Sequence, residues 1–181
     1  MKRFFLFLLI LFCYQKLYSL ELKYDSTNED KSNYWIGLGI GGNYFGPTIC
    51  GNISYTINQN IITIKYANSE EFQFGVDNTN FEKPSIWLKE FGLLYGRSFR
   101  KDILLLSVSA GISYVSGINR GQNIQDHYYE KINISTIGIP IEAEAMFEFS
   151  DYVGAGFLFF ANLNKEKNFN GVMLRIKIGS L

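Results

Sequence analysis

The sequence predicts an all-β protein, an eight-stranded antiparallel up-and-down transmembrane β-barrel, on three observations. Apolar residues recur with period two from Tyr34 onward, the spacing of strands with one apolar face. Short and longer connections alternate, which in a meander gathers tight turns at one end and loops at the other. The chain also opens with a positively charged pair and a short apolar run, the mark of an exported protein.

That opening is "MKRFFLFLLILFCYQKLYS", with Lys2 and Arg3 ahead of Phe4 to Phe12. The apolar core is about nine residues, whereas a spanning helix needs about 20. Residues 1–19 therefore read as a cleaved signal peptide, with the cut after Ser19. A lipoprotein reading would use Cys13, but the bulky Phe12 precedes it. Residues 20–33, "LELKYDSTNEDKSN", read as a flexible polar leader, and residues 34–181 as the barrel domain.

Eight strands can be traced in order. Tyr34, Ile36, Leu38 and Ile40 share one face of the first, with Trp35, Gly37, Gly39 and Gly41 on the other. Ile49, Gly51, Ile53 and Tyr55 mark the second, and Ile62, Ile64 and Tyr66 the third. Phe91, Leu93 and Tyr95 mark the fourth, and Leu104 to Tyr114, taken alternately, the fifth. Ile137 to Phe147, Val153 to Phe159 and Val172 to Ile178 supply the last three in the same way. Tight links are expected at "INQN", "RKD" and "SD". Longer links are expected at "NYFGP", Asn68 to Ser85, Gly117 to Ile132 and "NLNKEKNF".

In such a barrel the continuous apolar face points to lipid and the small, polar face lines the lumen. Closure is required, because an open edge in hydrocarbon strands backbone polar groups. Eight strands leave an interior that side chains fill. Six charged residues take lumen phase: Lys65, Glu90, Glu142, Glu144, Arg175 and Lys177, three of each sign. Buried charges are tolerable when paired, so these are expected to form a structural salt-bridge cluster that plugs the lumen. A proton or small-ion path is the sharper alternative. Lys89 and Arg97 fall on the lipid face, near opposite ends of their strand, and are expected to snorkel to the interfaces. Tyr34, Tyr55, Tyr66, Trp87, Tyr114 and Tyr152 are expected to form interfacial girdles.

Gly37, Gly39 and Gly42 match G-x-G-x-x-G. A dinucleotide loop needs a helix next and an acidic residue after a second parallel strand. The next residues are instead "NYFGPTICGNISY", a turn and another strand, so the match is accidental.

With these residues in view, the chain from Tyr34 onward resembles the small eight-stranded outer-membrane barrels of the OmpA type. The stretch Ile137 to Gly179 is also similar to uncharacterised barrel-like proteins of bacteroidetes and spirochaetes. It shares a G-x-P-x-E at Gly138, Pro140 and Glu142, a G-x-G at Gly154 and Gly156, and an N-x-N at Asn162 and Asn164. The resemblance implies fold and a place in the Gram-negative outer membrane, with no activity. Outer-membrane strands usually finish on an aromatic residue in lipid phase; here Leu181 is out of phase with Ile178.

Formal net charge is zero, which argues against nucleic acid as partner. Some eight-stranded barrels modify lipid A with a histidine and serine on a strand, but the sole histidine, His127, lies in "IQDHYYEK", a loop segment. No metal-ligand spacing accompanies it, and no cofactor or catalytic residue is expected. Cys50 is the one cysteine left after cleavage, so no intramolecular disulfide is expected. A soluble periplasmic barrel of lipocalin type, binding a hydrophobic ligand inside, would invert the faces. The expectation is a monomeric, non-enzymatic outer-membrane protein with a structural or surface-interaction role. Its partners are outer-membrane lipid and extracellular ligands met by the loops Asn68–Ser85 and Gly117–Ile132.

Overall fold

A computed structural model describes residues 32–71, 84–125 and 128–180. They form eight strands: β1 (Ser32–Asn43), β2 (Gly46–Ile57), β3 (Asn60–Glu70), β4 (Trp87–Lys101), β5 (Leu104–Gln125), β6 (Tyr128–Ser150), β7 (Val153–Asn164) and β8 (Phe169–Ser180). Each pairs antiparallel with its neighbours in the chain, and β8 returns to β1, closing the barrel.

The register fixes the shape. Stepping from Ser32 through Ile57, Asn60, Arg97, Val108, Ala143, Phe159 and Val172 returns to β1 at Gly42, ten residues further on. Eight strands with that stagger tilt by about 43° and enclose a cylinder of about 8 Å backbone radius. An interior that narrow has room for side chains and little else.

Alternation is resolved as expected. Ile36, Leu38, Ile53, Ile64, Leu93, Ile112, Ile139, Phe159 and Leu174 face outward and are exposed. Outward residues of β7 run from Val153 to Leu163, all apolar; ten residues at that tilt span about 24 Å. This matches the apolar band of about 25 Å on membrane barrels. Tyr34, Tyr55 and Tyr152 are exposed toward the end holding the tight turns, and Tyr66 and Tyr114 toward the other.

The tight turns are Asn58–Gln59, Asp102–Ile103 and Asp151–Tyr152. Asn58 and Asp102 take positive φ, at 58° and 52°, the left-handed conformation that asparagine and aspartate tolerate best after glycine. Three connections at the other end differ from expectation. The β1–β2 link is a two-residue turn, Tyr44–Phe45, because the Asn43 carboxamide accepts from the amides of Phe45 and Gly46 and closes it. Asn68, Ser69 and Glu70 belong to β3 and pair with Lys89, Leu88 and Trp87. Most of Gly117–Ile132 is strand, the stem of a projecting hairpin. His127 and residues 72–83 lie outside the described residues.

Candidate functional site

Gly37 and Gly39 sit on the lumen side of β1, as the strand phase requires. A Cβ at Gly37 would overlap the Asn52 carboxamide oxygen and come 3.3 Å from Arg175 Nε. The glycine is there for space, and no helix follows it.

The six charges assigned to the lumen, Lys65, Glu90, Glu142, Glu144, Arg175 and Lys177, point inward and are buried; Arg100 and Glu148, in the same phase at the tight-turn end, form a separate pair at 2.9 Å. The six form one chain of alternating sign. Glu90 meets Lys65 Nζ at 3.0 Å, and Lys65 meets Glu142 at 2.8 Å. Glu142 lies 3.9 Å from Arg175 Nη1, which reaches Glu144 at 3.1 Å. Glu144 meets Lys177 at 2.5 Å, and the Lys177 ammonium lies 4.3 Å from the centre of the Trp35 ring. Taking each charge out of water costs several kcal/mol. Here every internal member of the chain has two oppositely charged neighbours, and neutral groups add to the pairing. Asn162 Nδ2 donates to Glu90 at 2.8 Å and to Ser113 Oγ at 2.7 Å. Ser107 donates to Glu144 at 3.3 Å.

The six positions come from β3, β4, β6 and β8, so the chain of charges ties opposite walls together. Beside it, toward the long-loop end, Cys50, Ala67, Leu88, Val115, Ile134, Leu158, Phe160, Phe169 and Met173 form an apolar cluster, with Phe45 packed against it. Trp35 and Ile61 form a second, toward the tight-turn end. A cavity of about 10 Å³, lined among others by Trp35, Ser54, Thr63, Ser107, Glu144 and Arg175, has room for one water molecule. Asn52 Oδ1 and Arg175 Nε are buried nearby without a protein partner. Among the described residues the lumen is filled by side chains and the apolar faces point outward, the reverse of the lipocalin-like arrangement.

Sequence phase places the charges on the lumen face, and Ser107, Ser113 and Asn162 with them, but does not say which of these groups touch. The role of Asn162 comes from the register that sets Pro140 opposite it and Glu90 within reach.

A second cluster closes the long-loop end. Lys167 donates to Asn119 Oδ1 at 2.5 Å and lies 5.1 Å from the centre of the Phe45 ring and 5.8 Å from that of Tyr44. Arg120 pairs with Glu71, donates to the Pro84 carbonyl at 3.1 Å, and lies 5.5 Å from the Tyr129 ring centre. Burial pushes the Lys167 ammonium pKa down, opposed by Glu71 and assisted by Arg120. Neither Lys167 nor Arg120 stood out in the sequence, since lone cations in polar segments carry no phase. Among the described residues no cluster of His, Cys, Asp and Glu is placed to hold a metal.

A closed, all-antiparallel, up-and-down barrel of eight strands with an apolar exterior is the fold of the small eight-stranded outer-membrane barrels. The N-terminal barrel domain of OprF from Pseudomonas aeruginosa is similar at 15% identity and a TM-score of 0.60, over 83% of this chain and 99% of that one. Neisserial surface protein A is similar at 9% identity and a TM-score of 0.56, over 81% and 94%. Ail, the attachment invasion locus protein of Yersinia pestis, solved with the heparin analogue sucrose octasulfate, is similar at 13% identity and 0.55, over 84% and 99%. No protein-family model matches the chain, and no curated protein does.

Proposed function

We propose that this chain is an integral outer-membrane barrel of a Gram-negative cell envelope, exported by residues 1–19, with a structural and surface-interaction role and no catalysis of its own. The observation that carries the membrane reading is the apolar exterior. A continuous belt of exposed Ile, Leu, Val and Phe around a closed barrel would aggregate in water and needs lipid to cover it. The lumen ladder is the internal brace that lets a polar interior survive in that setting, and the barrel works as a monomer.

The surface role rests on the β5–β6 hairpin. Pairing of β4 with β5 stops at Ile118, and pairing of β6 with β7 starts at Gly138. Beyond those points the two strands pair only with each other, to Gln125 and Tyr128. Seven extended residues past Ile118 reach about 23 Å, and Tyr129, which pairs with Asn123 five residues past Ile118, is carried beyond the rim toward an extracellular ligand.

The test is fractionation of the expressed chain, then gel mobility with and without boiling. A heat-modifiable band from the outer-membrane fraction is expected. Recovery with soluble periplasmic proteins, without a mobility shift, would overturn the reading.

A further inference from the structure

The projecting β5–β6 hairpin has two edges, and they differ. Beside β5, Arg120 pairs with Glu71 and donates to the Pro84 carbonyl, so the β3–β4 connection lies against that edge. Beside β6, no strand takes the place that β7 leaves at Gly138. From Tyr129 to Thr136, among the described residues, no backbone hydrogen bond forms on the β7 side. Lys167 of the β7–β8 turn crosses the inner face to Asn119, whose partner is Ile132, and leaves the backbone edge alone.

Eight extended residues present an edge of about 26 Å, and every second one turns its N–H and C=O toward the open side. From Lys131 to Gly138 the pairing with β5 is free of register shifts, so this stretch is a straight template. Its sequence, "YEKINIST", holds neither proline nor glycine and suits a strand. Such an edge pairs readily with another chain unless it is covered.

The side chains say which chain would fit. On the outward face Arg120 stands directly opposite Lys131, a like-charge pair that costs stability. Glu71 answers Arg120. Lys131 is exposed and makes no ion pair among the described residues. On the inner face Ile132 is half-buried and Ile134 buried. A strand laid along β6 would set one residue beside Lys131 on the outward face and the next beside Ile132 on the inner.

We infer that the β6 edge from Tyr129 to Thr136 takes an extended strand of an extracellular polypeptide by backbone pairing, with an acidic residue beside Lys131 and an apolar one beside Ile132. The inference deepens the surface role of the hairpin and rests on it.

The probe is a synthetic peptide of alternating valine and aspartate, which gathers its carboxylates on one face. It is added to the folded full chain in phosphatidylcholine nanodiscs, and amide exchange at Tyr129–Thr136 is followed. The alternate amides that face the open edge should slow about tenfold at about 90% occupancy. The valine–lysine counterpart should leave them unchanged, K131E should reverse that choice, and K131R should keep it. Unslowed alternate amides throughout a titration into the millimolar range would overturn the inference, as would equal slowing by both peptides. Slowing that follows protein concentration alone would assign the edge to a second copy of this chain. Polyaspartate binding as tightly without slowed amides would assign a polyanion site, and either result overturns the inference. The surface role fails separately, before any peptide is added. Cys50 is buried, so N133C is the thiol that an impermeant maleimide should reach on intact cells. A heat-modifiable but unlabelled N133C would place the hairpin away from the cell exterior.

Discussion

Replacing Lys65 by methionine tests whether the lumen ladder braces the barrel. Lys65 Nζ sits between Glu90 at 3.0 Å and Glu142 at 2.8 Å, and its side chain is 2% exposed. Without it, Glu90 keeps the Asn162 amide, and Glu142 keeps Arg175 at 3.9 Å. Methionine fills nearly the same space, so the loss is one of charge compensation and not of packing. Removing one partner of a buried pair costs about 3–5 kcal/mol. With a urea dependence of about 1–3 kcal/mol per molar, the unfolding midpoint should fall by roughly 2 M. The assay is urea unfolding of the folded barrel in vesicles, followed by the gel shift and by tryptophan fluorescence. Glu90→Gln in the Lys65→Met background removes one stranded charge and should recover about 1–2 kcal/mol, whereas the same change in wild type should be destabilising. A Lys65→Met unfolding free energy within about 1 kcal/mol of wild type, or no recovery in the double variant, would refute the reasoning.

Other outcomes depend on local geometry. A Cβ at Gly156 would overlap the Ala145 carbonyl oxygen and lie 2.7 Å from Met146 Cα, so Gly156→Ala should cost about 1–3 kcal/mol. At Gly51, on the lipid face, the nearest atom is Leu38 Cδ2 at 3.7 Å, and Gly51→Ala should stay within about 0.5 kcal/mol of wild type in the same unfolding assay. Trp35→Leu removes the ring beneath the Lys177 ammonium and should cost about 2–4 kcal/mol, through lost contact area and lost cation–π attraction together. Lys167→Met should speed amide exchange at Phe45 and Gly46 several-fold, with little change in the global midpoint. Because burial lowers the Lys167 pKa, its charged form is disfavoured in the fold. Stability should therefore rise with pH from the depressed folded pKa up to the unfolded value of about 10.4, and Lys167→Met should flatten that rise.

The barrel was legible because lipid on one side and a crowded lumen on the other impose opposite chemistries on alternate residues. Within the apolar band that contrast is strong, as at Ile64 beside Lys65 or Ile176 between Arg175 and Lys177. Above it the contrast vanishes. Asn119 to Gln125 and Tyr128 to Asn133 extend past the flanking strands, so they carry no phase and read as loop, although backbone pairing keeps them in β5 and β6. The Tyr44–Phe45 turn was hidden for a different reason. Its closure depends on one carboxamide, Asn43, and its place depends on Phe45 packing onto side chains distant in the sequence. The charge cluster was readable as membership but not as order: phase says which charges face inward, and only the stagger of ten residues says which ones touch.

The seam between β1 and β8 sets a condition on how the molecule comes into being. Tyr34 pairs with Ser180 and Asn43 with Gly171, so the first strand finds its second partner only in the last. Until then two edges are open, a template for the wrong neighbour. Contacts so far apart in the chain are slow to form. Arg175 and Lys177, on that last strand, also complete the charge chain begun on β3, β4 and β6. Sealing the wall and neutralising the interior are thus a single late event, and a chain halted before β8 would hold Glu144 without either of its cations.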